Sequence, residues 1–402
     1  MRPARSGASG RNYEAMKRKR TDKKELLPRL LIGVIGFALL IGLRLYAVRG
    51  RSVYEITRTS GVEYETARVL DVLADNVQGN PDVENVLVGT QRLNLEITSG
   101  RYTGDQVEVT HYLSPYFSIH AEEGMTLSVR ILTTGDNQYD VSVYNYERTP
   151  WLLLFVAVFL LALIVVGGKQ GISAVFGLLF TMGGVIFVLL PLLVQRGWQP
   201  VPTTLMIVAL TSFVSFVFIG GLHTKSMVAA LGSFGGVLLA GLFAFIAGRV
   251  VRISGLNMDE AESLLLTAAD GGLKVKGLLI CGILIAAEGA IMDISMSIAS
   301  AVDEVRRVNP ALSARELFCS GMRVGRDAMG TMANTLVLAF AGTGLNTMLL
   351  IYAYDASFEQ LMNAEFLSME LIRAIAGSLG MILAVPLVAF LSAHILKKKQ
   401  TA

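Results

Sequence analysis

The sequence predicts a polytopic α-helical membrane protein, with about eight transmembrane helices and a small extracytoplasmic β-barrel-like domain (OB-like or SH3-like) inserted after the first helix. Three observations predict it. Of 402 residues, 53% are hydrophobic and only 17% are charged, against about 25% charged in soluble domains. The apolar residues fall in blocks of about 20, the length of helix that crosses a hydrocarbon core of roughly 30 Å. Residues 49–149 break the series with short stretches that alternate apolar and polar side chains, the signature of half-buried strands.

The elements follow in order. Residues 1–25 are a basic cytoplasmic tail; over 1–29 there are ten Lys or Arg and three acids. Such a tail can bind nucleic acid. A membrane span follows at once, however, so the charge is read as a cytoplasmic anchor and no nucleic-acid partner is expected. Leu26 to Val48 is a transmembrane signal anchor. Its basic region and apolar run are long for a cleavable signal, and no small-x-small site follows. In 49–149, VENVLVGTQRLNLEIT, GDQVEVTHYL, MTLSVRILTT and YDVSVYNY read as strands, separated by TSGRYTGD, AEEG and TTGDNQ. Residues 150–396 hold seven further spans, near 151–167, 171–194, 202–221, 227–250, 277–300, 328–352 and 369–395.

Lys and Arg in the short loops set the orientation. Both termini are expected in the cytoplasm, with 49–149 outside. The stretch DEVRRVNPALSARELFCSGMRVGRD carries five arginines and falls inside; AYDASFEQLMNAEFLSME carries none and falls outside. Residues 251–276 dissent, since Arg252, Lys274 and Lys276 fall outside. Their middle, NMDEAESLLLTAADGG, has the pattern of a short amphipathic helix at the membrane surface.

Unpaired charge in hydrocarbon costs at least about 2.5–3.5 kcal/mol per acid, so intramembrane carboxylates mark places that face protein or water. Glu288 and Asp293 lie five residues apart, some 140° around a helix, and do not share one face. Asp293, Ser297, Ser300 and Glu304 do, at i, i+4, i+7 and i+11. Asp327, Thr331 and Asn334 form a second stripe on the next span. Arg323 and Arg326 stand at its cytoplasmic end, where they can pair with Asp327 or Glu304 or serve as plain anchors. Hydrogen-bonded helix contacts are the alternative for either acid. Gly232 and Gly236 have the small-xxx-small spacing of close helix packing, and Gly177 and Gly184 share a face. Such faces suit a homo-oligomer and internal packing alike.

No metal, cofactor or catalytic centre is expected. The four histidines have no ligand spacing, the two cysteines do not pair within the polar segment, and phosphate-loop, nucleophile-elbow and zincin motifs are absent from the sequence. The protein is therefore not expected to be an enzyme.

The runs GAIMDISMSIASAVDEVRRVNP and GMRVGRDAMGTMANTLVLAFAG, with LEITSGRYTGDQVEV in the polar segment, resemble the YibE/F-like family of bacterial multispan membrane proteins. The resemblance covers most of the chain from about residue 30. It implies a multispan membrane protein and brings no substrate, reaction or catalytic residue to this sequence.

The leading expectation is a transporter or permease for a small solute or ion, coupled to protons or cations through Asp293 with Glu288 or Asp327. Carboxyl groups in a low-dielectric site take up protons readily, which suits such coupling. The alternative is a non-transporting membrane scaffold whose outer β domain binds a partner protein, envelope polymer or lipid. The lipid bilayer is the partner common to both.

Overall fold

The structure, a computed structural model, describes residues 31–49, 61–81, 83–84, 86–115, 117–135, 138–253, 274, 277–354 and 357–401. The basic tail, the start of the first span and the segment NMDEAESLLLTAADGG lie outside the described residues. The chain divides into two compact units: Tyr54–Ala162, and Met1–Val53 together with Leu163–Ala402.

The first unit is built on five antiparallel strands, β1 (Val62–Gly79), β2 (Leu87–Ile97), β3 (Gln106–Leu113), β4 (Thr126–Gly135) and β5 (Gln138–Tyr146), in the order β3-β2-β1-β4-β5. Period-2 alternation puts Leu93, Leu95 and Ile97 of β2 and Leu127, Val129 and Ile131 of β4 on one buried face. Ala67 of β1 pairs with Ile97 on one side and Leu127 on the other, which joins the two rows into one core. The sheet curls until β3 and β5 approach each other, but no ladder closes them. Of the expected barrel-like domain the structure shows a small curled antiparallel sheet.

The central strand, β1, is one the sequence did not mark. Its ladder with β2 shifts register between Val69 and Asp71 and again between Val72 and Ala74. Each bulge flips the alternation and erases the pattern that reveals a strand. Buried Gln91 is saturated: its amide donates to Asp75 and to Ala121 O and accepts from Ala121 N. The His111 ring, 5% exposed, meets Ile119 O at 2.9 Å. Tyr139 stacks on Tyr102 and donates to Asp105 at 2.6 Å. That bond holds the Tyr139 hydroxyl proton, pushing its pKa up to about 12.

The second unit is helical. Its elements are α1 (Leu31–Val48), α2 (Thr149–Gly184, which starts in the other unit), a π-helical turn Val185–Leu189, α3 (Leu190–Arg196), α4 (Pro200–Gly220), α5 (Thr224–Val250), α6 (Leu278–Val308), α7 (Ala314–Thr343), α8 (Leu345–Ala353), α9 (Phe358–Asn363) and α10 (Glu365–Thr401). Helix α10 packs on α5, α6 and α7, and the main apolar core lies among them. The glycine pattern explains how closely. A Cβ on Gly236 of α5 would meet Ala384 Cβ at 2.7 Å and Gly380 O at 3.1 Å, so the backbones of α5 and α10 all but touch. Gly177 and Gly184 of α2 likewise accept Ser215 and Thr211 of α4.

Among the described residues six helices are long and apolar enough to cross a membrane, or seven if the α7–α8 pair, bent by 59°, is one span. Eight separate spans were expected. The difference is that 151–167 and 171–194 share the continuous stretch Thr149–Arg196. That stretch is broken at Gly168 (φ 55°, ψ −127°), a conformation glycine reaches at little steric cost. Past the break the chain doubles back, because a Cβ on Gly171 would run into Leu163 O. In a straight helix those residues would stand about 12 Å apart along the axis. The span expected from 328 begins at Ala314, where Ser313 and Glu316 form a reciprocal cap. The helix thus starts inside what the arginine-rich pattern marked as a loop.

Candidate functional site

Glu288 and Asp293 occupy different sides of α6. Glu288 points into the bundle and is 3% exposed. Its Oε1 accepts from Ser212 Oγ at 2.5 Å and lies 3.3 Å from Thr211 Oγ1, both on α4. The Thr211 hydroxyl also reaches back to Ile207 O at 2.9 Å, so its single proton is shared among acceptors. Ser215, one turn on from Thr211 and Ser212, meets Thr181 of α2 at 3.3 Å. A hydroxyl knot therefore ties α2, α4 and α6, with Glu288 at its inner end. No cation joins it among the described residues. The 4-residue spacing of Thr211 and Ser215, with Ser212 beside them, is the sequence signal that finds this knot.

Asp293 points away from the bundle and is exposed, as are Ser297 and Glu304, with Ser300 half-buried. On α7 the exposed residues include Arg323, Arg326, Asp327, Thr331 and Asn334. Helices α6 and α7 pack side by side, and the contacts of two glycines set their register. A Cβ on Gly321 would meet Val302 at 2.9 Å, and one on Gly325 would meet Ile298 at 3.1 Å. Four residues on in one helix answer four residues back in the other. Asp293 is then level with Gly330, Ser297 with Arg326 and Ser300 with Arg323. Asp293 and Asp327 stand about 4.5 Å apart in height. The structure brings these two acids, with Ser297, Thr331 and Asn334, to one face. It does not bring Glu288 to it.

What this face lacks matters as much. The outward faces of α2, α5 and α10 carry large apolar side chains such as Phe155, Leu238, Phe245, Ile375 and Phe390. From Leu278 to Arg307, α6 exposes none; its outward stripe runs Gly282, Ala286, Gly289, Asp293, Ser297, Glu304. On α7 only Val337 and Leu338 break the same rule. Gly282, Gly289 and Gly330 have open space where a Cβ would stand.

The expected pairing of Arg323 or Arg326 with Asp327 or Glu304 does not form; among the described residues none of the four makes an ion pair. The acid that does take arginines is Asp303, 5% exposed, bound by Arg306 and Arg307 at 2.9 Å each. Arg306 also donates to Leu396 O at 3.2 Å, fixing the end of α10. The i, i+3 and i, i+4 spacing in DEVRR carries this pairing, but Asp303 lies on the inward side of the helix from the Asp293 stripe. No group of His, Cys, Asp or Glu capable of holding a metal occurs among the described residues.

Long apolar helices around a close-packed core are consistent with a polytopic helical membrane protein. Residues 155–398 match the family model described as YibE/F-like protein, well over half of the chain. The protein belongs to that family. No curated protein and no solved structure matches it.

Proposed function

We propose that the protein is a transporter or permease that moves protons or small cations along the α6/α7 face, with Asp293 and Asp327 as the binding groups and Ser297, Thr331 and Asn334 as supporting oxygens. One observation carries the reading. Two neighbouring helices of membrane-spanning length expose small and polar side chains where the others expose Leu, Ile and Phe. Lipid does not solvate such a face, so it borders water or protein. Two carboxyl groups a turn apart in height form a site that takes a proton or a cation. Arg323, Arg326 and Glu304 lie at its cytoplasmic end as gate residues. Glu288 serves as a hydrogen-bonded strut between α6 and α4 and not as a second ligand.

The membrane placement completes the reading. With Thr149–Arg196 crossing twice about Gly168, the chain crosses eight times. Both termini are then cytoplasmic, the sheet unit is outside, and the membrane is a bacterial plasma membrane. The chain supplies no catalytic chemistry and acts without a cofactor.

The test is flux. Purified protein is reconstituted into liposomes holding a pH-sensitive dye, and proton, Na⁺ and K⁺ gradients are imposed in turn. The expected result is a protein-dependent flux that Asp293→Asn and Asp327→Asn abolish and Glu288→Gln only reduces. Unchanged flux in both Asp variants, or none from the native protein under any gradient, overturns the proposal and leaves the scaffold reading, in which the sheet unit binds an envelope partner.

A further inference from the structure

Where α4 and α6 begin and α5 ends, the chain leaves a cavity of about 620 Å³. That is an ordinary size for a ligand site, about 300–1,000 Å³. Its floor is apolar, with Phe245, Ile253 and Leu279. Its rim carries three cations, Arg249, Arg252 and Lys274, and no acid lines it among the described residues. All three cations are exposed, and among the described residues none of them makes an ion pair. The Arg249 guanidinium lies 4.6 Å over the Phe245 ring, where a cation–π contact keeps it beside the floor.

The fold itself gives no reason for an arginine at 252. Helix α5 ends in a Schellman turn, in which Ile253 N donates to Gly248 O at 2.9 Å and Arg252 N to Arg249 O at 3.3 Å. The residue at the corner of such a turn is left-handed, a place that glycine ordinarily fills. Arg252 takes it with φ 58°, the one positive φ of a non-glycine residue among the described residues, and so carries backbone strain. Membrane topology gives no reason for these cations either. On the eight crossings proposed above they lie on the outer side, against the bias of Lys and Arg towards the cytoplasm.

We propose that this cavity binds one anionic phospholipid, with the phosphate held by Arg249, Arg252 and Lys274 and the upper part of an acyl chain lying on Phe245. Arginine and lysine supply the charge-assisted hydrogen bonds that a phosphate takes. The choice of a lipid over a soluble phosphate rests on what adjoins the cavity. Leu238, Leu242, Phe245 and Arg249 follow at i, i+4, i+7 and i+11, one face of α5. The first three are exposed apolar side chains and the fourth is a cation at the helix end. The face therefore passes from apolar to basic in the order in which a lipid presents its chain and its phosphate. Helix α6 also opens here, and its N-cap Gly277 offers no side-chain acceptor to the first-turn N–H groups, which leaves the positive end of that helix uncapped. The site lies apart from the α6/α7 face and does not depend on the transport reading.

Full-length protein in dodecyl maltoside, an uncharged detergent, is titrated separately with dioleoylphosphatidylglycerol, dioleoylphosphatidylcholine and glycerol phosphate, and bound molecules are counted by native mass spectrometry. One phosphatidylglycerol is expected to bind ahead of any further copy. Phosphatidylcholine, which lacks the net charge, and glycerol phosphate, which lacks the chains, are each expected to bind about tenfold more weakly. Arg249→Gln, Arg252→Gly and Lys274→Gln should each weaken phosphatidylglycerol about fivefold, and together about a hundredfold, the worth of basic side chains beside anionic lipid. Neutralising Arg68, Arg101 and Arg130 of the sheet unit to Gln removes the same charge and should change nothing. Two variants separate binding from folding. Arg252→Gly gives the left-handed position its usual residue, so the melting temperature without lipid should hold or rise while affinity falls. Gly248→Phe keeps every charge and fills the cavity where a Cβ meets open space. It should weaken phosphatidylglycerol about tenfold and leave glycerol phosphate as it was. Equal binding of the two lipids, or native affinity in the triple variant, overturns the site. Glycerol phosphate bound as tightly as phosphatidylglycerol, with Gly248→Phe without effect on either, marks a site for a soluble anion and overturns the lipid assignment.

Discussion

Replacing Ser212 by Ala tests the knot at Glu288. The change deletes the hydroxyl that donates to Oε1 at 2.5 Å and leaves Thr211, 3.3 Å away, whose proton is also claimed by Ile207 O. A buried carboxyl group then loses its best partner. Orphaning a buried polar group costs about 1–3 kcal/mol. At roughly 2–4 °C per kcal/mol for a domain of 150–250 residues, the expected fall in apparent melting temperature is about 2–12 °C, towards the lower end for this larger unit. The assay is fluorescence-detected thermostability of the detergent-solubilised protein. Glu288→Gln keeps an acceptor for Ser212 and adds a donor for Thr211, so it should lose less than about 1 kcal/mol. Asp293→Asn, on the exposed face, should be thermally silent. If Ser212→Ala is silent and Asp293→Asn destabilises, the roles assigned to the two acids are reversed and the reasoning is wrong.

Asp303→Asn strips the charge partner from two arginines, one of them 22% exposed on its side chain, and should destabilise by about 1–3 kcal/mol. The last turns of α10 should also gain hydrogen exchange, because Arg306 would no longer be held at Leu396 O. Gly236→Leu forces α5 and α10 apart where a Cβ would already sit 2.7 Å from Ala384. Overpacking costs about 1–3 kcal/mol or more, and an aggregated elution profile in mild detergent is the expected readout. In the sheet unit, burial pushes the His111 ring below its usual 6.5, against the pull of its Ile119 O contact. The folded state therefore holds the His111 proton less well than the unfolded chain. Its contribution is complete above about pH 6.5 and is lost as pH falls through the lower folded value. Hydrogen exchange in β3 should rise between about pH 7 and pH 5, and His111→Gln should flatten that dependence.

Hydropathy told where apolar surface is needed, and the structure honours it in every block from 31 to 395. It did not tell where helices end. α6 runs on to Val308 and α7 starts at Ala314, because these stretches leave the apolar layer while their backbone bonds remain satisfied by Ser313 and Glu316. The β class was legible from β2 to β5, where alternation is clean, and β1 was hidden by its two bulges. The α6 stripe from Asp293 to Glu304 could be read from spacing alone, since a helix fixes which residues share a face. Spacing says nothing of what lies opposite. Thus Glu288 was seen as a polar intruder, but its partners on α4, 76 and 77 residues away, were not. The arginine pairing went to Asp303 because an i+3 partner on the same helix is reached with less loss of side-chain freedom than one across a turn.

The break at Gly168 bears on how the chain is made. No residue in the most apolar window of Thr149–Arg196 is buried. On the eight crossings proposed above, its two arms emerge one after the other from the ribosome, each apolar enough to enter the bilayer before most of the core that follows has been synthesised. A side chain at 168 would penalise the reversal and favour one long rod. Every later helix would then be offered to the insertion machinery the wrong way up. On that proposed topology, sidedness of the whole downstream bundle hangs on a residue without a side chain.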